Sequence, residues 1–170
     1  MAHSIELLFD SDTEAAIRRM WDDLAAAGLS ARIPPGRPHV TVAVARRIGA
    51  EVDELLRPVV KRLPLRCVIG APVVFGRGNV VLTRLIVASG ELLDLHAEVH
   101  RICGRHLVPE PMANSLPGQW TAHVTLARRL DGAVLGRAVE LAGKPSQFDG
   151  LLTGLRRWDG DQRVEYRIGH

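Results

Sequence analysis

The chain is poor in aromatic side chains and in lysine. Aromatics make up 4% of its 170 residues: one tyrosine, three phenylalanines and three tryptophans. So sparse a set excludes a broad stacking platform for a long single strand of nucleic acid. Of 22 basic residues only Lys61 and Lys144 are lysine. The arginine bias suits bidentate phosphate contact, and it follows equally from GC-rich coding. The two cysteines, Cys67 and Cys103, make neither a disulfide framework nor a zinc pattern, so buried reduced thiols are expected. No run approaches the roughly 18 apolar residues of a membrane span, and residues 1–11 lack the order of a secretory signal. These absences point to a cytoplasmic chain with no membrane partner. The net charge is only +3 with the histidines neutral, and the pI is about 9.4. That excess permits an anionic partner without requiring one.

What is present is an ordinary globular composition, 46% hydrophobic and 24% charged. It suffices for one core over residues 1–170. Ile5, Leu7 and Phe9 alternate and predict a strand over 4–9. Ser11 and Glu14 have capping-box spacing before a helix carried by Ile17, Met20, Trp21 and Leu24 and closed by Gly28. Residues 29–33 read as a short strand and 34–38 as a stiff proline loop, before a strand over 39–45. Residues 51–63 have helical spacing, with Pro58 expected to kink or shorten the helix. Strands over 65–75 and 80–87 flank the turn Gly76-Arg77-Gly78-Asn79. Ser89 caps a helix to about His106, and residues 108–118 form a proline-rich loop. A strand over 120–127, a helix over 135–142 and a hairpin of 148–158 with 163–168 complete the chain.

Two tetrapeptides stand out: His39-Val40-Thr41-Val42 and His123-Val124-Thr125-Leu126, 84 residues apart. On a strand, residues i and i+2 share a face. Each copy therefore offers one imidazole and one hydroxyl on one side. Strict alternation places Ala43 with His39 and Thr41, and sends Val40, Val42 and Val44 to the core. One copy means little; two, each on a predicted strand in its own half, suggest a pseudo-symmetric fold that brings the faces together around a phosphate. The plain alternative is a pair of strand histidines bonded to their neighbours. His96 and His100 have metal-pair spacing, but no Glu follows His96, so an ordinary helix surface is expected there and no metal site.

The residue types fit chemistry at phosphorus. One group must take a proton from the attacking oxygen and another must protonate the leaving oxygen, and histidine serves either role near neutrality. Two threonine hydroxyls can bond the non-bridging oxygens as charge develops. The sequence assigns acid and base to the pair of histidines, not to either one. No cofactor is called for.

The paired motif, in Pro38-His39-Val40-Thr41-Val42 and Ala122-His123-Val124-Thr125-Leu126-Ala127-Arg128, resembles the two-histidine (2H) phosphoesterase superfamily, in particular its 2′-5′ RNA ligase-like branch. The run Phe75 to Leu82 followed by Leu92 to His96 is similar to that family's central hairpin and helix. The resemblance implies an α+β, bilobal fold with two antiparallel sheets flanked by helices around a central cleft, one motif per lobe. It implies His39 and His123 as the acid/base pair and Thr41 and Thr125 as phosphate ligands. It implies activity without metal on 2′,3′-cyclic phosphates, 2′-5′ linkages or related cyclic nucleotides, with a nucleotide or RNA end as partner. The same cleft without turnover would make a nucleotide- or RNA-binding module. Arg128 is a candidate phosphate contact, although by strict alternation it needs a bulge or strand end to join His123. Trp120 and Phe9 are candidates to stack on a base, or else wall and core. A monomer is expected.

Overall fold

The computed structural model describes residues 1–169. Nine strands and five helices follow one another as β1 (His3–Phe9), α1 (Ser11–Ala26), β2 (His39–Ala45), β3 (Arg47–Ile48), α2 (Glu51–Leu55), α3 (Arg57–Val60), β4 (Leu65–Phe75), β5 (Asn79–Ile86), α4 (Gly90–Cys103), β6 (Leu107–Val108), β7 (His123–Asp131), α5 (Leu135–Ala142), β8 (Phe148–Asp159) and β9 (Val164–Ile168). The fold is α+β with two antiparallel sheets. The larger has the order β2-β1-β8-β4-β5-β7, with β9 on β8; the smaller is the ribbon β3-β6.

Each half of the chain runs strand, helix, strand, helix, strand: β1-α1-β2-α2/α3-β4, then β5-α4-β7-α5-β8. The last strand of each half is exchanged, so that β8 pairs β1 and β4 pairs β5. The exchanged strands meet in the middle, Leu65 to Ile69 against Leu152 to Phe148. The motif strands β2 and β7 are thereby the two ends of one sheet. The ends approach each other without pairing, as a twisted sheet allows when it curls.

The strands form where the alternation predicts them. β1 lies between β2 and β8, and all seven of its residues are buried. Ile5, Leu7 and Phe9 point into a core shared with Ile17, Met20, Trp21 and Leu24 of α1, each such burial contributing roughly 1.5–3 kcal/mol. α1 packs over β7 and β8, while α4 packs over β2 and β4. Each long helix thus backs the motif strand of the opposite half. Cys67 and Cys103 are buried free thiols, both pushed up to about 12, chiefly by burial.

Three local expectations change, and the one at Pro58 is met. The capping box does not close: the helix is preceded by Asp10 without a side-chain bond, and the Glu14 carboxylate accepts from Arg18 and Arg37 instead. Charge-assisted bonds from two guanidiniums outweigh one backbone N–H. The helix over 51–63 is cut at Leu56, because Pro58 has no N–H to continue the ladder. Residues 29–33 make only a single bridge, Arg32 to Arg128. β7 begins at His123 and not at Trp120, and runs on to Asp131 along β5.

Candidate active site

The two motifs break the sheet in the same way. In β2, Thr41 stands opposite Glu6 and Ala43 opposite Ile5, so Val42 is an extra, bulged residue. In β7, Thr125 stands opposite Thr83 and Ala127 opposite Leu82, so Leu126 is the extra residue. A bulge inverts the alternation beyond it. Ala43 and Ala127 therefore turn into the core, both 0% exposed, while Val44 joins Thr41 on a cavity wall. The expectation that all three valines are core thus fails for Val44. The same count returns Arg128 to the face of His123 and Thr125, where its charge acts on the His123 ring. Arg128 is also tied at its backbone to Arg32, by bonds of 2.7 and 2.8 Å.

The bulges leave carbonyls on the outer edge of each motif strand, and the opposite half satisfies them. The Trp120 indole N–H donates to the Thr41 carbonyl at 3.0 Å, and that of Trp21 to the Thr125 carbonyl at 3.0 Å. His100 Nε2–H donates to the Val42 carbonyl at 3.0 Å, and the Met112 N–H to that of Val44 at 2.9 Å. An edge covered in this way offers no template for another strand.

Both motif histidines have the same orientation. His39 Nδ1 lies 2.9 Å from the Arg37 carbonyl and His123 Nδ1 lies 2.7 Å from the Thr121 carbonyl. A carbonyl only accepts, so each Nδ1 carries a proton and each Nε2 is left for chemistry. The rings are near enough that the charge of one acts on the other: burial first, then His39 and Arg128, hold His123 below its ordinary value, against a raising bond to Thr121. Phe75 packs on the His123 ring with centroids 4.9 Å apart. Among the described residues neither the Thr41 nor the Thr125 hydroxyl has a protein partner; both stand free beside the imidazoles.

Thr41, Val44, Phe75, Trp120 and His123 line one cavity of about 150 Å³. A larger cavity of about 650 Å³ lies elsewhere, at the N-termini of α1 and α4, lined by Asp10, Asp12, Glu91 and Asp149 with Arg66. Its carboxylates disfavour a phosphate and it contains no motif residue, whereas the smaller cavity holds one residue of each motif, Thr41 and His123; His39, Thr125 and Arg128 lie outside its lining.

Trp120 is half-buried and one face of its indole is stacked on His96 at 3.9 Å, so it is a wall of the cavity. Phe9 is 2% exposed and belongs to the core; the stacking role expected of it falls away, because no ring face reaches the cavity. His96 and His100 are not surface residues but buried, with rings 4.7 Å apart. Their Nε2 atoms donate to the Ser115 and Val42 carbonyls, so both rings are engaged in holding the backbone of the second half's loop and of β2. His3 meets Asp159 and Asp161 at 3.4 and 3.3 Å, and its Nδ1 accepts from the Ile48 N–H, so Nε2 bears the proton shared with the carboxylates. Sequence reasoning missed Glu6. Its signal was there in the polar side of β1, Ser4 and Glu6, which faces the same way as His39 and Thr41.

Fold and site together define the two-histidine phosphoesterase class. Within it, this chain belongs to the 2′-5′ RNA ligase superfamily, whose sequence profile matches residues 9–162. No curated protein matches the chain by sequence. Among solved structures it is similar in fold to TT0787 of Thermus thermophilus, at 17% identity and TM-score 0.61, covering 99% of this chain and 95% of that one. It is also similar to E. coli LigT complexed with 3′-AMP, at 12% identity and TM-score 0.60, covering 98% and 92%. Usb1 of Kluyveromyces marxianus with uridine monophosphate matches at 16% identity and TM-score 0.54, covering 98% and 97%.

Proposed function

We propose that this protein opens the 2′,3′-cyclic phosphate of a nucleotide or RNA end, using His39 and His123 as the acid/base pair. The observation that carries the reading is the shared orientation of the two imidazoles, each tied at Nδ1 to a carbonyl two residues back, which leaves Nε2 as the atom that exchanges a proton. One ring takes a proton from the attacking water and the other gives one to the leaving ribose oxygen. The Thr41 and Thr125 hydroxyls donate to the non-bridging oxygens as charge builds there. Arg128, on the same face as His123, supplies a guanidinium for the phosphate or the RNA backbone. Two imidazoles suffice for this step, so no metal or cofactor is called for. With a ribose 5′ hydroxyl in place of water as the attacking group, the same site would join ends through a 2′-5′ bond, the 3′ oxygen leaving as before.

That solved relatives are titled with 3′-AMP and uridine monophosphate supports a nucleotide ligand. The small cavity favours a terminus over an extended strand. The working unit is a single bilobal monomer with one motif per lobe. No helix among the described residues is long and apolar enough to cross a membrane, and the two free buried thiols suit a reducing, cytoplasmic setting.

The test is turnover of a nucleoside 2′,3′-cyclic phosphate in EDTA, with the product phosphate located by NMR. His39→Ala and His123→Ala should each lose at least about 100-fold in kcat while remaining folded. Full activity in either variant overturns the reading. Tight nucleotide binding without product would assign a binding module.

A further inference from the structure

The two halves share the bulge after each motif threonine, and differ in the layer beneath Thr41 and Thr125. Thr41 stands opposite Glu6, and Glu6 opposite Arg156; in the other half Thr125 stands opposite Thr83, and Thr83 opposite Val73. An ion pair thus occupies the place that a hydroxyl and a methyl-bearing side chain fill on the other side. Glu6 is 3% exposed. Its Oε2 accepts from Arg156 Nε and Nη2, both at 2.7 Å, and Arg156 is held in turn by Glu165. Its Oε1 accepts from the Ser4 hydroxyl at 2.6 Å and lies 3.5 Å from Nε2 of His39. His123 has no such neighbour among the described residues. The Phe75 ring packs on it, and Arg128 acts on it from its own strand.

With Nδ1–H of His39 committed to the Arg37 carbonyl, the state of Nε2 decides what Glu6 sees. A neutral ring would turn a lone pair toward a carboxylate; a protonated ring turns an N–H toward it. Resting on the two-imidazole reading above, we infer that Glu6, oriented by Arg156 and Ser4, is a positioning residue that keeps a proton on Nε2 of His39. His39 is then the acid and His123 the base in the opening direction. Water adds to phosphorus and gives its proton to His123 Nε2. The bond from phosphorus to the ribose 3′ oxygen breaks, and that oxygen takes the proton from His39 Nε2. One water is consumed, and solvent restores the two rings. The charged or titratable groups that bear on the pair are Glu6 on β1, Arg156 on β8, and Arg128 on β7 with His123 itself.

The experiment copies one half onto the other. A Glu6→Thr, Arg156→Val double variant removes carboxylate and guanidinium together, so neither is stranded in the interior, and Glu6→Gln removes the charge alone. In the wild type, nitrogen-15 NMR of the ligand-free protein should show His39 Nε2 taking its proton before His123 Nε2 as the pH is lowered. In the variants that order should be lost. Turnover of a nucleoside 2′,3′-cyclic phosphate should fall about 100-fold in kcat with KM little changed. The loss should shrink to a few-fold on a nucleoside p-nitrophenyl phosphodiester, whose leaving oxygen needs no proton. His123 protonating first in the wild type overturns the inference even if neither variant folds, as do equal losses on both substrates. His39→Ala and His123→Ala are run beside them. If neither loses turnover the two-imidazole reading fails; if both do while the Glu6 variants leave the NMR order and the substrate dependence unmoved, only this inference fails.

Discussion

Trp120 donates its indole N–H to the Thr41 carbonyl at 3.0 Å while lying flat on His96, 3.9 Å away and 3° from parallel. One side chain from the second half therefore fixes the bulge that aims the first motif. Trp21 does the reverse for Thr125 from the first half. Neither tryptophan needs to touch substrate to matter, because each satisfies the carbonyl beside a bulged residue.

Trp120→Phe should keep the stack on His96 and strand the Thr41 carbonyl. Denaturant unfolding should show a loss of about 1 kcal/mol, and kcat should fall several-fold with a smaller change in KM. Trp21→Phe should give the same pattern through Thr125. A variant as stable and as active as the wild type would show that the indole bonds do not position the motifs.

Thr41→Val and Thr125→Val delete hydroxyls that have no partner within the described protein. Stability should stay within about 0.5 kcal/mol of the wild type. Turnover should drop by at least about 10-fold in each single variant, because the lost donors act on charge that develops only in the transition state. Steady-state kinetics with a parallel melting curve separates the two effects.

His123 is held below its ordinary value first by burial and then by the charges of His39 and Arg128. In the base role inferred for it above it must be neutral, so activity should be lost as pH falls through its value. Arg128→Ala removes one positive charge, which makes His123 easier to protonate and should move the acid limb of the pH–rate profile to higher pH. The displacement should be larger at low salt, since Arg128 is exposed and its field is screened.

His96 is pushed down to about 4, chiefly by burial and then by His100, against bonds to carbonyls that favour the proton. Its folded value lies below its unfolded value of about 6.5, so the unfolded chain binds the proton first as pH falls. The contribution to stability is intact above about pH 6.5 and is lost progressively down to about pH 4. Unfolding free energy should be smaller at pH 5 than at pH 7 by about 2 kcal/mol, an order-of-magnitude figure. His96→Gln, although less stable overall, should flatten that slope.

The motif residues and most elements were legible in the sequence because they rest on local signals. Alternation in β1, Ser89 at the start of α4 and Gly76 with Gly78 in the β4–β5 turn all act within a few residues. The bulges at Val42 and Leu126 were not legible, since an extra residue is defined only against the partner strand. That is why Val44 and Arg128 were assigned to the wrong face and Ala43 to the cleft side. Phe9 and His96 were misplaced for a related reason: burial of an aromatic or an imidazole depends on which helix lands on it. Glu6 read as one polar residue in a strand until Arg156, 150 positions later, was set beside it.

The exchange of β4 and β8 between the halves also bears on how the chain reaches this state. β1 emerges first, but its inner partner, β8, begins only at Phe148. Until then β1 and β2 are an antiparallel pair joined through α1, with one long open edge on β1. The halves therefore cannot mature in succession like beads on a string. Most of the stabilisation should arrive late and together, through contacts of very large sequence separation, which makes folding slow and sensitive to anything that shortens the C-terminal third.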